Sequence, residues 1–332
     1  MTYKHLSLED RYYIEISLKN EVSHEEIAAS LDRSQASISR EIKRNTGLRG
    51  YRHKQAQRLT DERHQAKAKA VKLTDEIKLI IDDLISQDWS PEQVCGWLKK
   101  ENQVELHHET VYQYLLADKA SGGDLYTHLR HQSKTYRKRY GSSNSRTKNG
   151  IKDRVDIDER PDVVNNRERV GDWEADTIIG KNHCGAIVTL DERKSKLRLA
   201  MPTGTKAAHA VTNAINSLFT PIKAFIKTVT FDNGKEFAYH KEIAATLDCD
   251  TYFAKPYHSW ERGQNENANG LLRQYFPKSM ELAEVTCKEV FDAVHKLNSR
   301  PRKCLGYKTP YESFEELTGI NMKILTGHAL MT

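Results

Sequence analysis

The chain lacks paired cysteines. Its five, Cys95, Cys184, Cys249, Cys287 and Cys304, are an odd number and contain no CxxC. That excludes a disulfide framework and a zinc ribbon, and His107-His108, with no cysteine pair nearby, does not read as a zinc site. No secretory leader is expected either. "MTYKHLSLEDRYY" has no signal-peptide pattern, and no apolar run reaches the roughly 18 residues of a membrane span. The expectation is a soluble, cytoplasmic protein with no membrane partner. A large net charge is lacking too: 52 Lys and Arg against 46 Asp and Glu leave +6, which permits an anionic partner without requiring one.

Basic charge is present, but concentrated in the first half. Residues 40–72 hold eleven Lys or Arg against Glu41, Asp61 and Glu62; residues 130–154 hold nine against Asp153 alone. With 38% hydrophobic residues over 332 positions, two or three domains are expected.

Residues 7–45 split into three helical pieces. "SLEDRYYIEISLKN" has Leu8, Tyr12 and Ile16 at helical spacing. "SHEEIAASLD" opens with a capping box, Ser23 and Glu26, and sets Ile27 and Leu31 inward. "SQASISREIKRN" starts at Ser34 with Ile38 and Ile42 facing in. The short link between the last two is the outline of a helix-turn-helix. Arg40, Lys43 and Arg44 then lie off the apolar stripe, with Gln35 and Ser37 near the helix start, where they would meet base edges and phosphates. The plainer reading is a three-helix bundle with a solvated basic face.

A second trio follows. "TDEIKLIIDDLISQ" carries Ile77, Ile80, Ile81 and Leu84. "SPEQVCGWLKKE" has Ser90 as cap, Pro91 first in the helix and Gln93 closing a capping box. "HHETVYQYLL" supplies Val111, Tyr114 and Leu115. It reads as a divergent repeat of the first unit, or as a helical packing domain without DNA contacts. The expected divisions are 1–46 for the first unit, 47–72 for a basic connector and 73–117 for the second unit. A basic linker over 118–168, a catalytic core over 169–318 and a tail over 319–332 complete them.

In the second half, "DWEADTIIG", "CGAIVTLDE" and "KLRLAMP" read as strands, the last two as antiparallel neighbours. "TKAAHAVTNAINSLFTPI" reads as a helix, "IKTVTFDNGKEF" as a strand and turn, "YHKEIAATLD" as a helix and "DTYFAKPY" as a strand, before a last helix in "SWERGQNENANGLLRQYF". That order is the order of an RNase H-like core. The expected fold is therefore multidomain, α plus α/β: helix-turn-helix units followed by an RNase H-like, retroviral integrase-like catalytic core.

The acids fall at particular places in that order. Asp176 lies in the first strand, Asp232 ends the fourth, and Glu266 lies on the helix after the fifth, with 33 residues between it and Asp232. Three converging carboxylates repel one another and need a divalent cation. Oxygen ligands favour Mg²⁺ or Mn²⁺, and two such ions would serve in-line phosphoryl transfer. Each acid has a plainer use. Asp172 or Glu174, on the same strand face, could replace Asp176; Asp232 could build an Asp-Asn-Gly turn; Glu266 could be solvated.

On "GDWEADTIIG", "TFDNGKEF", "YFAKPYHSWERGQNENANGLLRQYFPK" and "LNSRPRKCLGYKTPYE", behind the helix-turn-helix, the chain resembles insertion-sequence transposases of the DDE class, most closely the IS-thirty family. The resemblance covers nearly the whole length. It implies that Asp176, Asp232 and Glu266 are the catalytic and metal-binding triad and that Arg273 is the basic residue seven after the glutamate. It also implies a transposase that binds terminal inverted repeats, cuts them and joins them to target DNA with Mg²⁺ or Mn²⁺, as a homo-oligomer on double-stranded DNA at the bacterial nucleoid. Gly270 would let a DNA backbone come close, Arg273 would hold a phosphate, and Tyr257 and Trp260 would pack against a base or sugar, or at least one of them in the core. The alternatives are a transposase-derived regulator without catalysis and a structure-selective nuclease.

Overall fold

The computed structural model describes residues 5–66, 72–130, 151–255 and 263–329. The basic stretch 131–150 and the segment with Tyr257, Trp260 and Glu261 lie outside the described residues. The chain divides into two compact units, Met1–Val71 and Lys72–Thr332.

Among the described residues the first unit has four helices: α1 (Leu8–Lys19), α2 (His24–Ser30), α3 (Gln35–Asn45) and α4 (His53–Ala66). Ser7, Ser23 and Ser34 each accept a backbone N–H at a helix start, which satisfies donors that have no partner within the helix. Ile14, Ile27, Ala28, Ile38, Tyr51 and Ala56 form the core. The Leu8, Tyr12 and Ile16 spacing on α1 is not the buried face. These three are exposed, and α1 buries Arg11, Ile14 and Ser17 instead. The cause is a charge inside the bundle. Arg11 donates to Glu41 at 2.8 Å, to Gln57 Oε1 at 2.6 Å and to the Leu6 carbonyl at 2.8 Å. An apolar periodicity does not register a face that an arginine occupies.

The second unit begins with α5 (Asp75–Ser86), α6 (Pro91–Glu101) and α7 (His108–Ala120), packed around Ile81, Ile85, Val94, Leu98, Val111 and Leu115. Ser90 and Gln93 close the capping box that starts α6. This trio docks on the body behind it. Gln93 Nε2 donates to the Pro301 carbonyl at 3.0 Å, and Tyr275 Oη donates to Asp88 at 2.9 Å. At Gly96 an added Cβ would stand 2.0 Å from Tyr307 Cε1, so only glycine leaves room for that ring.

The body is a five-stranded sheet of β1 (Asp172–Ile179), β2 (Ala186–Glu192), β3 (Arg198–Thr203), β4 (Thr228–Phe231) and β5 (Asp250–Phe253), in the order β3-β2-β1-β4-β5. β3, β2 and β1 are antiparallel; β1, β4 and β5 are parallel. α8 (Ala208–Phe219) crosses from β3 to β4, and α9 (His240–Leu247) from β4 to β5. Then come α10 (Gly263–Leu272), α11 (Cys287–Asn298), α12 (Pro310–Thr318) and α13 (Met322–Ala329). This mixed order is the integrase-like core expected from the sequence.

Strand alternation sorts the side chains onto two faces. Trp173, Ala175, Val188, Leu190 and Leu199 point to one, where Val211, Ile215 and Phe219 of α8 and Phe314 of α12 cover them. Ile178, Ile187 and Ala200 point to the other and meet Leu272, Phe276, Val290 and Val294 from α10, its continuation and α11. Two stretches that composition assigns to linker and tail also pack on this body. Asp156 bridges Phe253 in parallel, Arg160 is buried and donates to Thr230 Oγ1 at 3.0 Å, and Met322 of α13 joins the first apolar cluster. Residues 151–168 contribute the buried side chains of Ile157, Arg160 and Val164, with Ile151 against the first cluster, apolar residues too widely spaced to stand out in a basic stretch.

Candidate active site

Asp172, Glu174 and Asp176 alternate onto the sheet face beneath α10, but they meet different fates. Asp172 is buried and accepts from Arg169 and, at 2.9 Å, from Thr228 Oγ1. Glu174 is buried in an ion pair with Arg193. Both carboxylates are thus neutralised by arginine. Asp176 is half-buried; its Oδ1 accepts the Thr177 N–H at 2.8 Å and its Oδ2 accepts Asn269 Nδ2 at 2.9 Å.

β1 and β4 pair Asp172 with Thr228 and Glu174 with Thr230. Carrying that register on by two residues places Asp176 beside Asp232, just past the end of β4. Asp232 also makes the turn that its Asn-Gly neighbours suggest, accepting the Gly234 N–H at 2.8 Å. The turn holds the carboxylate at the strand end.

Glu266 is exposed on α10. What the sequence reading missed is how its neighbours seat that helix. Asn265, buried, gives its amide N–H groups to Asp191 Oδ2 at 3.1 Å and Glu174 Oε2 at 3.2 Å, in the amide orientation that satisfies both. One turn on, Asn269 gives its N–H to Asp176, while its oxygen accepts from Arg198 Nη2 at 2.9 Å and Thr189 Oγ1 at 3.2 Å. Arg198 in turn grips Asp191 in a bidentate pair at 2.7 and 2.6 Å and donates to the Ala268 carbonyl at 2.7 Å. The asparagines around Glu266 are the two anchors of a buried polar ladder. The available signal was their i, i+4 spacing toward the sheet.

Around the aspartates, Thr177 Oγ1 donates to buried Glu236 at 2.9 Å, and Lys206 pairs with the same carboxylate at 2.8 Å. Arg273 does not stand open. It is half-buried, donating to the carbonyls of Ile179 at 2.9 Å and Phe276 at 3.3 Å, and burial lowers its pKa. Gly270 faces the Arg130 guanidinium: an added Cβ would lie 2.7 Å from its Nη2.

The donor chemistry of Asp176, Asp232 and Glu266 is all oxygen, which fits Mg²⁺ or Mn²⁺ rather than a thiophilic ion. Among the described residues no three His, Cys, Asp or Glu side chains are already gathered for a metal. The helix that carries Glu266 touches Asp176 through Asn269 on its next turn.

In the first unit, α3 presents Gln35, Arg40, Lys43 and Arg44 to solvent, while Ser37 is half-buried and its hydroxyl meets the cap, Ser34 Oγ, at 2.9 Å. Arg40 Nε rests on the Ala36 carbonyl of its own helix at 2.9 Å, which holds the guanidinium along the exposed side. No described helix is long and apolar enough to cross a membrane.

Two family models match: "Helix-turn-helix domain" over residues 2–45 and "Homeodomain-like domain" over 37–115. The chain is 44% identical to the transposase for insertion sequence element IS4351 of Bacteroides fragilis, over 96% of this chain and 98% of that protein. It is 32% identical to transposase InsI for insertion sequence element IS30C of Escherichia coli (strain K12), over 94% of this chain and 83% of that protein. A solved structure, the catalytic core domain of BIV integrase, aligns with 44% of this chain and 94% of its own length at TM-score 0.36 and 24% identity.

Proposed function

The chain belongs to the IS30 family of insertion-sequence transposases, and from that premise we propose that Asp176, Asp232 and Glu266 are the catalytic carboxylates of its DNA cutting and joining. The observation that carries this is the seating of the Glu266 helix. Asn269, one turn from Glu266, is bonded to Asp176, and the β1–β4 register, carried on two residues past its last pair, would bring Asp176 opposite Asp232. Asp172 and Glu174, the rival acids, are already paired with arginines.

In this reading the three carboxylates hold Mg²⁺ or Mn²⁺, as two ions. When bound, the ions polarise the phosphoryl group and activate the attacking oxygen of water or a 3′-hydroxyl. The chain's own part is positioning. Thr177 N–H and Asn269 fix the Asp176 carboxylate, Gly234 N–H fixes Asp232, and the polar ladder fixes α10. Glu266, on the exposed side of α10, supplies the third carboxylate. Residues 1–46, through Gln35, Ser37, Arg40, Lys43 and Arg44, and residues 73–117 recognise the element's inverted repeats. The core over 169–318 cuts and joins. Arg273 supports the site by tying the end of α10 to β1. The protein acts at the nucleoid as a homo-oligomer, because two ends are handled together and each chain carries one trio.

An end-labelled duplex bearing the inverted repeat, scored for nicked and joined products, tests this. Wild type acts with Mg²⁺ or Mn²⁺ and stops with chelator. Asp176→Asn, Asp232→Asn and Glu266→Gln bind the duplex as wild type does and lose at least about a thousandfold in rate. Tight binding without nicking under any divalent ion leaves the regulator; nicking without joining leaves the nuclease. An active Glu266→Gln removes Glu266 from the trio.

A further inference from the structure

Beside the carboxylates lies a cavity of about 260 Å³ that this reading leaves without a task. It opens between α6, α7 and the 3₁₀ turn after them on one side and α10 with Arg300 on the other. Its flat walls are Trp89 and Tyr112; its polar edges are Gln274, Arg130 and Arg300. Arg130 stands over Gly270, one turn along α10 from Glu266, a rise of about 6 Å. The space therefore begins within reach of a single nucleotide from the carboxylates.

Arg300 is only 3% exposed. Its Nη groups are spent on Gln274 Oε1 at 3.4 Å, on the Tyr275 hydroxyl and on Asp88 at 3.6 Å. Its Nε is buried and, among the described residues, has no hydrogen-bond partner. That N–H is closed off from solvent, so Arg300 lends the cavity its charge rather than a donor. Asp88, the cavity's acid, is neutralised from several sides: His128 at 3.0 Å, Tyr275 at 2.9 Å, Lys296 at 3.3 Å and Arg300. The cavity is thus cationic and aromatic-walled, with amide and guanidinium edges. That is the chemistry that takes an unstacked base, by stacking on rings and by hydrogen bonds to its edge, and holds its phosphate by charge.

We propose that this cavity receives the base of one nucleotide, turned out of the DNA strand beside the phosphate that is cut. The proposal rests on the catalytic reading of α10 and specifies how the strand is held against it. Tyr112 stacks on the base, the Gln274 amide meets its edge, and Arg130 takes the adjoining phosphate. Turning the base out costs stacking in the duplex and returns it in the cavity, so the net effect is to fix the strand's register at Glu266.

The test is a protein–DNA cycle on the full chain, read as binding without divalent cation. Duplexes of the inverted-repeat end carry a single abasic site at each position flanking the cleaved phosphate. Tyr112→Ala and Arg130→Ala are the variants, both at exposed side chains. With wild type, one abasic position weakens binding by about tenfold, the loss of one stacked base. With Tyr112→Ala that same abasic position has no further effect, because the partner is already gone. A flat abasic series, losses that simply add in the variants, or a chain that binds none of the duplexes overturns the proposal. Cleavage of the intact duplex by wild type in Mg²⁺, run alongside, judges the catalytic reading separately.

Discussion

Against α8 and α12 the sheet buries Trp173, Val188, Leu190 and Leu199; against the start of α10 it buries Glu174, Asp191 and Arg198. The two faces share the same strands and the same twist. The apolar one gains free energy roughly in proportion to the area it hides, with no preference for a particular atom-to-atom match. The polar one gains little net, since each buried ion has left water, but it tolerates one arrangement of its donors and acceptors. Moving α10 by one residue would carry Asn265 and Asn269 off the sheet and strand Arg198, Asp191 and Glu174. The comparison teaches that apolar clusters on both faces supply stability, while the polar patch under the start of α10 supplies placement. The carboxylates lie with the patch that places.

Substitutions on each face sharpen that contrast. The largest stability loss belongs to the apolar side. Phe219→Ala empties the space against Trp173, whose ring centroid is 5.0 Å away, and is expected to cost about 3–5 kcal/mol by denaturant titration. Whatever folded protein remains should cut DNA at the wild-type rate. If its rate per folded molecule collapses, the apolar face also sets the site.

Asn269→Ala is the matching change on the polar side. It removes a donor from Asp176 and an acceptor from Arg198, for an expected loss of about 1–3 kcal/mol. Strand cutting should fall by far more than that loss of folded protein explains. Equal losses in the two measurements would reduce the ladder to ordinary stabilisation.

The smallest effect concerns acid. Burial pushes the Asp88 carboxyl up, but hydrogen bonds from His128, Tyr275 and Lys296 outweigh it and hold the carboxyl below its ordinary value. A depressed carboxyl contributes stability above its unfolded pKa of about 3.9, and loses it as pH falls through the folded value. Trp89 fluorescence should therefore report loosening of the α5–α7 trio on acidification below about pH 4. In Asp88→Asn that pH-dependent step should be absent. A transition unchanged in the variant assigns the loosening to some other group.

The capped helices and the strand order were legible because caps and alternation are local: Ser23 with Glu26, Ser90 with Gln93 and the "DWEADTIIG" alternation each act within a few residues. The α1 face was not. Arg11 takes its buried position from Glu41 and Gln57, thirty or more residues away. The same limit hid the jobs of Asn265 and Asn269, whose partners lie on strands some seventy to ninety residues earlier. It also hid the carbonyls that occupy Arg273, since a backbone acceptor has no letter in a sequence. Where a residue's partner is near, the alphabet suffices; where it is far, only the fold brings it into view.

The ladder beneath α10 also carries an order of events. Its ion pairs close locally: Arg198 finds Asp191 across the turn from β2 to β3, and Arg193 finds Glu174 across the first hairpin. The asparagines that complete it come much later in the chain. On a growing polypeptide, the antiparallel meander can neutralise its own charges before α10 has left the ribosome, and short loops close fastest. The nascent sheet thus waits with its arginines already occupied, and the late helix needs only to lay two amides on a finished template. Pulse-labelled hydrogen exchange during refolding should protect β1–β3 first and α10 last. Simultaneous protection of both would mean that the template is not ready before its helix.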